Sequence, residues 1–423
     1  MEKYLKRVSD IILKDKLESK GAVLIEGPKW CGKTTTASMM AKSILYIQDP
    51  DKKRQNIEMS EIMPSRLLEG ETPRLIDEWQ LAPKLWDAVR YEVDKRDKFS
   101  QFILTGSSVP ADLKNISHSG IGRICRMLMR PMSLYESLDS TGEVSLADLF
   151  ENKNIDGKNK LSIDDIMYLI CRGGWPKAVR EKEKIALAQS IDYYDAITNY
   201  DISRVDNISR NPLNVQKLFR TITRAIGSQM TLTSMQRDMK AFEGDGITDE
   251  TINSYIKALK KMFVVENSIA WNPNLRSKTA IRTTDTWYYV DPSIGTAALS
   301  LGPEDLMNDL NTAGLLFENM CIRDLRIYSE ILSGEVYHYR DKNGLECDAV
   351  IHLKNGKYGF VEIKLGGDTA INEATSTLNL LEERIDIKKT NKPAFKMILT
   401  AVGEYAYKRE DNIYIVPIGC LKY

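Results

Sequence analysis

The sequence holds few of the features that would place it outside the cell or in a bilayer. Its six cysteines (Cys31, Cys125, Cys171, Cys321, Cys347 and Cys420) include no Cys-x-x-Cys pair. That excludes zinc ribbons and a disulfide frame and fits a reducing compartment. No apolar run approaches the roughly 18 residues of a membrane span. The first twenty residues carry charge throughout, so they do not read as a signal peptide. They predict an amphipathic helix with Leu5, Val8, Ile12 and Leu13 inward. Neither sign of charge is in excess: 59 Lys and Arg face 59 Asp and Glu, so any nucleic-acid surface must be a local patch. Together these absences predict a soluble, cytoplasmic protein with no membrane partner.

What is present is enough for real cores. The chain has 423 residues, 43% of them hydrophobic, which predicts two or three domains. It is organised around Gly21–Ala37, GAVLIEGPKWCGKTTTA. An apolar strand, Ala22 to Ile25, breaks at Gly27, and Gly32-Lys33-Thr34 opens a helix. The spacing fits the phosphate-loop motif completely. Glycines let backbone N–H groups curl around phosphate oxygens, and the new helix turns its positive end toward the same anion. The candidate cradle is Gly27, Pro28, Lys29, Trp30, Cys31, Gly32, Lys33, Thr34 and Thr35. Lys33 would reach the β- and γ-phosphates of ATP, and the Thr34 hydroxyl would ligate Mg²⁺. Cys31 reads as a buried, inert thiol.

After a helix through Ser43 and a strand over Ile44–Ile47 comes Pro73-Arg74-Leu75-Ile76-Asp77-Glu78. An apolar strand ending in two acids is what a second nucleotide motif needs: Asp77 for the Mg²⁺ shell, Glu78 to polarise the attacking water. With just two apolar residues after Pro73 and Arg74, the strand is expected to be short and Arg74 to mark a partly exposed edge. A strand between the two motifs belongs to the additional-strand branch of P-loop ATPases. The next apolar run, Phe102-Ile103-Leu104, ends in Thr105-Gly106-Ser107-Ser108, where Ser107 or Thr105 is the candidate neighbour of the γ-phosphate. Arg123, before the alternating strand Ile124 to Met129, is the candidate for neutralising transition-state charge, in its own chain or a neighbour. Arg126 and Arg130 compete with it.

From Val144 to Asp206 the pattern is helical, with helices over Ile163–Cys171 and up to Ile197 around a Gly173-Gly174-Trp175-Pro176 break. This looks like a lid over bound nucleotide, with Arg172 either a phosphate sensor or an ordinary helix-end arginine. The block from Pro212 to Leu299 predicts helices over Asn214–Ile226, over Leu232–Met239 (capped by Thr231 or Thr233) and from Thr248. Strands at Met262–Val265 and Thr286–Val290 follow, joined by a basic loop with Arg276, Lys278 and Arg282. Three helices and a two-stranded wing describe a winged helix, with Asn253, Lys257 and Lys260 on the exposed face of its third helix. That face either reads DNA or is solvated decoration.

The last block opens with a helix over Gly314–Tyr328 carrying Glu318 in its first turn. A strand over Val336–Arg340 follows, then a hairpin of Leu345–Ile351 and Tyr358–Lys364 around the turn Asn355-Gly356. Alternation puts Glu362 and Lys364 on one strand face, with Asp348 near the start of the partner strand. An acid followed by Glu-x-Lys is the PD-(D/E)xK nuclease pattern. There Asp348 and Glu362 would hold Mg²⁺ at a scissile phosphate, Lys364 would favour hydroxide, and Glu318 matches the extra acid. The same residues also describe a solvated strand face.

The segments GPKWCGKTT, LIDEWQ, LTGSS, the GR before RMLMRPMSLYES, RGGWP, GLLFENMCIRDL, LECDAVI and VEIKLG run in order over nearly the whole chain. In them the sequence resembles a widespread prokaryotic family. Its members join an AAA-type ATPase domain to a C-terminal domain of unknown function with a restriction-endonuclease-like core. The resemblance implies ATP and Mg²⁺ binding through Lys33, Thr34, Asp77 and Glu78. The expected architecture is α/β: a three-layer P-loop domain with a helical lid (1–206), a winged-helix-like domain (207–305) and a nuclease-like domain (306–423). The expected activity is ATP hydrolysis coupled to a nuclease-like domain acting on DNA. The alternative is a nucleotide-controlled switch or scaffold with an inert C-terminal domain. A small-molecule kinase is disfavoured, because Asp77-Glu78 supplies a water-activating acid and no arginine-rich acceptor clamp is evident.

Overall fold

A computed structural model describes residues 4–107, 120–240, 247–272, 284–385 and 391–423. Ser108, Arg276, Lys278 and Arg282 lie outside the described residues. Contacts divide the chain into two compact units: Met1–Pro131 with Tyr200–Arg210 and Lys257–Val264, and Met132–Asn199 with Asn211–Ile256 and Val265–Tyr423. This differs from the three-part division expected at 206 and 305. Residues 132–199 belong with the C-terminal part, for reasons found in the strand pairing described below.

The first unit is built on a five-stranded sheet of β1 (Ala22–Glu26), β2 (Ser43–Tyr46), β3 (Arg74–Asp77), β4 (Phe102–Gly106) and β5 (Ile124–Leu128). Its spatial order is β2-β3-β4-β1-β5. Every pairing is parallel, with Ala22 beside both Phe102 and Ile124. Strands covered on both faces need continuous apolar runs, and Ala22, Val23, Leu24, Ile25, Leu75, Ile76, Phe102, Ile103 and Leu104 are fully buried. On one face Trp79 and Trp86 meet at 5.0 Å within a core that includes Leu85, Val89 and Leu104. β4 lies between β1 and β3 in the sheet. One expectation changes: β3 is an interior strand, and Arg74 is held at its start by the Leu67 carbonyl and the Ser43 hydroxyl, each at 2.9 Å.

The second unit contains a seven-stranded mixed sheet ordered β10-β11-β12-β13-β15-β14-β7. Its members are β7 (Gly157–Lys158), β10 (Gly334–Arg340), β11 (Glu346–Leu353), β12 (Tyr358–Lys364), β13 (Phe395–Thr400), β14 (Tyr405–Lys408) and β15 (Ile413–Pro417). The β11–β12 hairpin turns at Asn355-Gly356, where Gly356 takes φ 86° and Lys357 N donates to Asn355 Oδ1 at 3.0 Å. β6 (Val144–Ser145) pairs with β16 (Leu421–Lys422), and β7 pairs with β14. These two pairings place residues 132–199 against the C-terminal sheet, so the helices expected as a lid have their packing partners in the second unit. The helix Leu310–Ile331 begins earlier than expected, capped by Asp309, whose Oδ1 accepts from Thr312 N at 3.1 Å. Glu318 is therefore mid-helix and not in the first turn.

The three middle helices run over Pro212–Arg224, Leu232–Lys240 and Asp249–Lys261. Thr231 caps the second, its Oγ1 accepting from Ser234 N at 3.2 Å, and Thr248 caps the third through Thr251 N at 3.2 Å. β8 (Val265–Ser268) and β9 (Thr286–Tyr289) form an antiparallel pair. Met262 and Phe263 are not strand. Phe263 adopts φ 58° and Val264 N returns to the Leu259 carbonyl at 3.0 Å, which closes the helix end.

Candidate functional site

Ligands of open α/β sheets sit beyond the carboxyl ends of the strands, and in the first unit three motifs converge there. The loop after β1 bends through Gly27 (φ 150°), Trp30 (φ 64°) and Gly32 (φ 100°) before the helix Lys33–Met40. A Cβ on Gly27 would stand 2.1 Å from the Met129 carbonyl oxygen, so glycine is required by space as well as by backbone. Pro28 and Cys31 are buried, and Lys29, Trp30 and Thr35 are exposed. Lys33 is buried, and its Nζ donates to the carbonyls of Gly27 at 2.9 Å and Pro28 at 2.6 Å. An ammonium kept on carbonyl oxygens at the loop is positioned to exchange them for the oxygens of a phosphate chain.

At the ends of β3 and β4, Asp77 Oδ1 accepts from Thr34 Oγ1 at 2.6 Å and from Thr105 Oγ1 at 2.7 Å. Glu78 leaves the strand in a left-handed conformation (φ 57°, ψ 48°), a strained state that a non-glycine residue holds where the surroundings fix it. Its amide donates to Thr105 Oγ1 at 3.3 Å, and its Oε2 accepts from Ser107 Oγ at 3.0 Å and from the Gln80 amide. Thr105 and Ser107, weighed as alternatives, thus do different jobs: Thr105 bridges the two acids and Ser107 holds the Glu78 carboxylate.

Arg123 is elsewhere. Its carbonyl accepts from Ala22 N at the start of β1, and its guanidinium pairs with Asp94 at 2.6 Å. In a parallel sheet a residue preceding a strand lies at the opposite edge from the phosphate loop, so Arg123 does not reach the nucleotide loop of its own chain. Arg126 is mid-strand and pairs with Glu26 at 3.0 Å. Arg130 follows β5 and so stands at the loop end of the sheet. Two partners of the loop were not anticipated. Arg7 donates from Nη1 to the Cys31 carbonyl at 2.9 Å and from Nη2 to the Arg130 carbonyl at 2.8 Å. Lys29 pairs with Asp201 at 2.8 Å.

In the second unit, adjacent strands bring Asp348, Glu362 and Lys364 together. Lys364 Nζ lies 2.8 Å from Glu362 and 3.2 Å from Asp348, and Ile363 N donates to Asp348 Oδ2 at 2.7 Å. Glu318 and Asp348 line one cavity with Gln229, Tyr288 and His338, and Tyr288 donates to Glu318 Oε1 at 2.6 Å. Burial, reinforced by the Asp348 charge, holds the Glu318 and Glu362 carboxyls well above the usual carboxylate range. Burial works against the Lys364 charge, but Asp348 and Glu362 outweigh it and raise that pKa. The Lys364 ammonium spans the two carboxylates expected to share a metal. Among the described residues no group of three or more His, Cys, Asp or Glu is arranged to hold one.

Arg172 ends its helix within the second unit. It pairs with Asp139 at 2.6 Å and donates to the Gly173 carbonyl at 3.1 Å. The glycines and tryptophan after it form a buried knot: Gly174 N donates to Asp291 Oδ2 at 2.9 Å and Trp175 Nε1 to Ser293 Oγ at 3.0 Å. Asp291 also meets Arg323 at 2.8 Å, and Arg323 meets Asp324 at 2.7 Å, all three fully buried. Lys257 and Lys260 are exposed and Asn253 is half-buried.

Comparison with known proteins matches three consecutive stretches of the chain. Residues 19–138 match the AAA domain family, residues 163–305 a domain of unknown function (DUF8612), and residues 313–421 another (DUF4143). No curated protein matches the chain. Similar solved structures include a Walker-type ATPase of Pyrococcus abyssi, 14% identical with a TM-score of 0.41, covering 70% of this chain and 96% of that one. The Hef helicase domain of Pyrococcus furiosus is 13% identical with a TM-score of 0.21, over 94% of this chain and 86% of that one. Drosophila ORC bound to DNA is 13% identical with a TM-score of 0.18, over 69% and 85%. The AAA match, falling on the unit that carries the phosphate loop, supports a P-loop, AAA-type, ATP-binding domain there.

Proposed function

We propose that the first unit binds ATP with Mg²⁺ and hydrolyses it. The observation that carries this reading is the linked set Thr34–Asp77–Thr105 and Glu78–Ser107, drawn from the phosphate loop and the two strand ends beside it. Backbone N–H groups of the loop from Lys29 to Thr35 and the Lys33 ammonium would hold the phosphates. Thr34 and Asp77 fit a Mg²⁺ ion, since a hydroxyl and a carboxylate in contact are a hard-oxygen donor pair. That ion, when bound, supplies charge neutralisation on the phosphate oxygens. Glu78 polarises the attacking water and takes up its proton, while the γ-phosphoryl group passes to that water and ADP leaves. Of the three candidate arginines Arg130 is the one on the loop side of the sheet, and Arg123 would serve only a neighbouring copy. Phosphate release from ATP tests the proposal. Lys33→Ala should lower both binding and turnover, and Glu78→Gln should keep binding while turnover falls by about a hundredfold or more. Wild-type turnover indistinguishable from both variants would overturn it.

A second reading concerns the nuclease-like site, favoured by the Lys364 contacts with Glu362 and Asp348. We propose that the C-terminal part is a PD-(D/E)xK-like module and the middle helices with their β8–β9 pair a winged-helix-like module. DNA is the partner of both. With Mg²⁺ on Asp348 and Glu362, Lys364 would be released to stabilise the hydroxide that attacks a phosphodiester. Plasmid and single-stranded DNA incubated with Mg²⁺ or Mn²⁺, with and without ATP, decide the matter. Cleavage lost in Asp348→Ala supports the module. Its absence under every metal, with ATP turnover intact, leaves a nucleotide-controlled switch with an inert C-terminal domain.

A further inference from the structure

Glu78 does not stand alone at the end of β3. The residues after it form a short turn, Trp79–Leu81, whose Trp79 is buried in the core, so the next side chain but one is carried on a fixed base. That side chain is Gln80. Its Nε2 donates to Glu78 Oε2 and lies 3.4 Å from Ser107 Oγ. The orientation of the amide follows from chemistry, because reversing it would set a carbonyl oxygen against a carboxylate oxygen. Its Oε1 is buried and meets no hydrogen-bond donor among the described residues, a desolvation cost that a surface glutamine avoids.

The neighbouring strand makes room for this arrangement. A Cβ added at Gly106 would lie 3.0 Å from Trp79 Nε1 and 3.2 Å from Gln80 Oε1. Glycine at the end of β4 is thus what lets the Gln80 amide lie between the two strand ends. Ser107 and Gln80 both lie on Oε2, so one carboxylate oxygen of Glu78 is tied down from two sides.

We propose that Gln80 is the positioning residue for Glu78 in ATP hydrolysis, an inference that rests on the ATPase reading above. Gln80 acts through Glu78 and touches no substrate. It fixes the carboxylate plane so that Oε1 meets the attacking water. The step is otherwise unchanged: water attacks the γ-phosphorus, its proton passes to Glu78, and the bond to the ADP oxygen breaks.

The test uses the full chain and the variants Gln80→Leu and Gln80→Glu, the second nearly isosteric and so expected to fold. A misplaced catalytic group costs about 10–100-fold, so kcat should fall by about that factor in both. KM for ATP and the affinity for a non-hydrolysable ATP analogue should stay within about twofold. A merely structural role would move affinity together with kcat. If Lys33→Ala abolishes turnover while both Gln80 variants keep wild-type kcat, this inference falls and the ATPase reading stands. A rise in kcat would likewise overturn it, by showing that the amide restrains Glu78 and does not aim it. If wild-type protein shows no turnover that Lys33→Ala and Glu78→Gln remove, the ATPase reading fails and this inference fails with it.

Discussion

A single arginine shows how far a local motif depends on distant support. Arg7 precedes the first helix, Val8–Ser19, and its buried guanidinium holds two carbonyls, one inside the phosphate loop and one beyond β5. Charge-assisted hydrogen bonds of this kind contribute about 1.5–3 kcal/mol each. Arg7→Leu should therefore lower the thermal midpoint and weaken ATP binding by about tenfold or more, measured by titration with a fluorescent nucleotide. Unchanged affinity would mean the loop keeps its shape unaided. Arg7 was not legible in the sequence, since nothing near it in the chain names the carbonyls it meets. Arg123 is the converse case. Its position before β5 is a sequence fact, and the polarity of a parallel sheet already puts such a residue at the far edge. Arg130, which follows the strand, carries the opposite signal.

Among elements, the apolar strands of the first unit and the capped helices of the middle were readable because their causes are local. Continuous apolar runs, a threonine three residues before the amide it caps, and Asn-Gly between alternating strands each act within a few residues. β6, β7 and β16 left no such trace, for a two-residue strand has no periodicity to detect. The RGGWP segment was visible as a break between helices, but its packing around Asp291 and Ser293 was not, because those partners lie over a hundred residues away in the chain. The joint it builds is held by Arg323, which neutralises Asp291 and Asp324 in a fully buried place. Asp324 also accepts from Leu134 N at 2.9 Å, so three separate stretches of chain are joined through the Arg323–Asp324 pair. Removing one partner of a buried ion pair costs about 3–5 kcal/mol, and Arg323→Leu should destabilise the second unit by that amount in urea unfolding. A loss below about 1 kcal/mol would show that the two aspartates simply take up protons.

For the whole molecule, the sequence divides more easily than the structure does. The C-terminal sheet has both edges covered from outside residues 306–423: β7 lies on β14, and Trp271 N donates to the His338 carbonyl on β10 at 2.7 Å. Trp271 also fills the core beside Tyr358 and Phe360. An exposed sheet edge invites pairing with other chains. A fragment of residues 306–423 should accordingly aggregate or lack native near-ultraviolet dichroism, and a monodisperse fragment with a fixed aromatic spectrum would refute this.

The placement of β7 also sets a timetable. Gly157–Lys158 leaves the ribosome long before the strand it joins, Tyr405–Lys408. Roughly 250 residues of synthesis at about 5–20 residues per second separate them, a wait of about 12–50 s. A long apolar strand held open for that time would find the wrong company. A glycine and a lysine offer a passing strand little to hold, and the sheet's earliest-made member is the one that can best bear the delay.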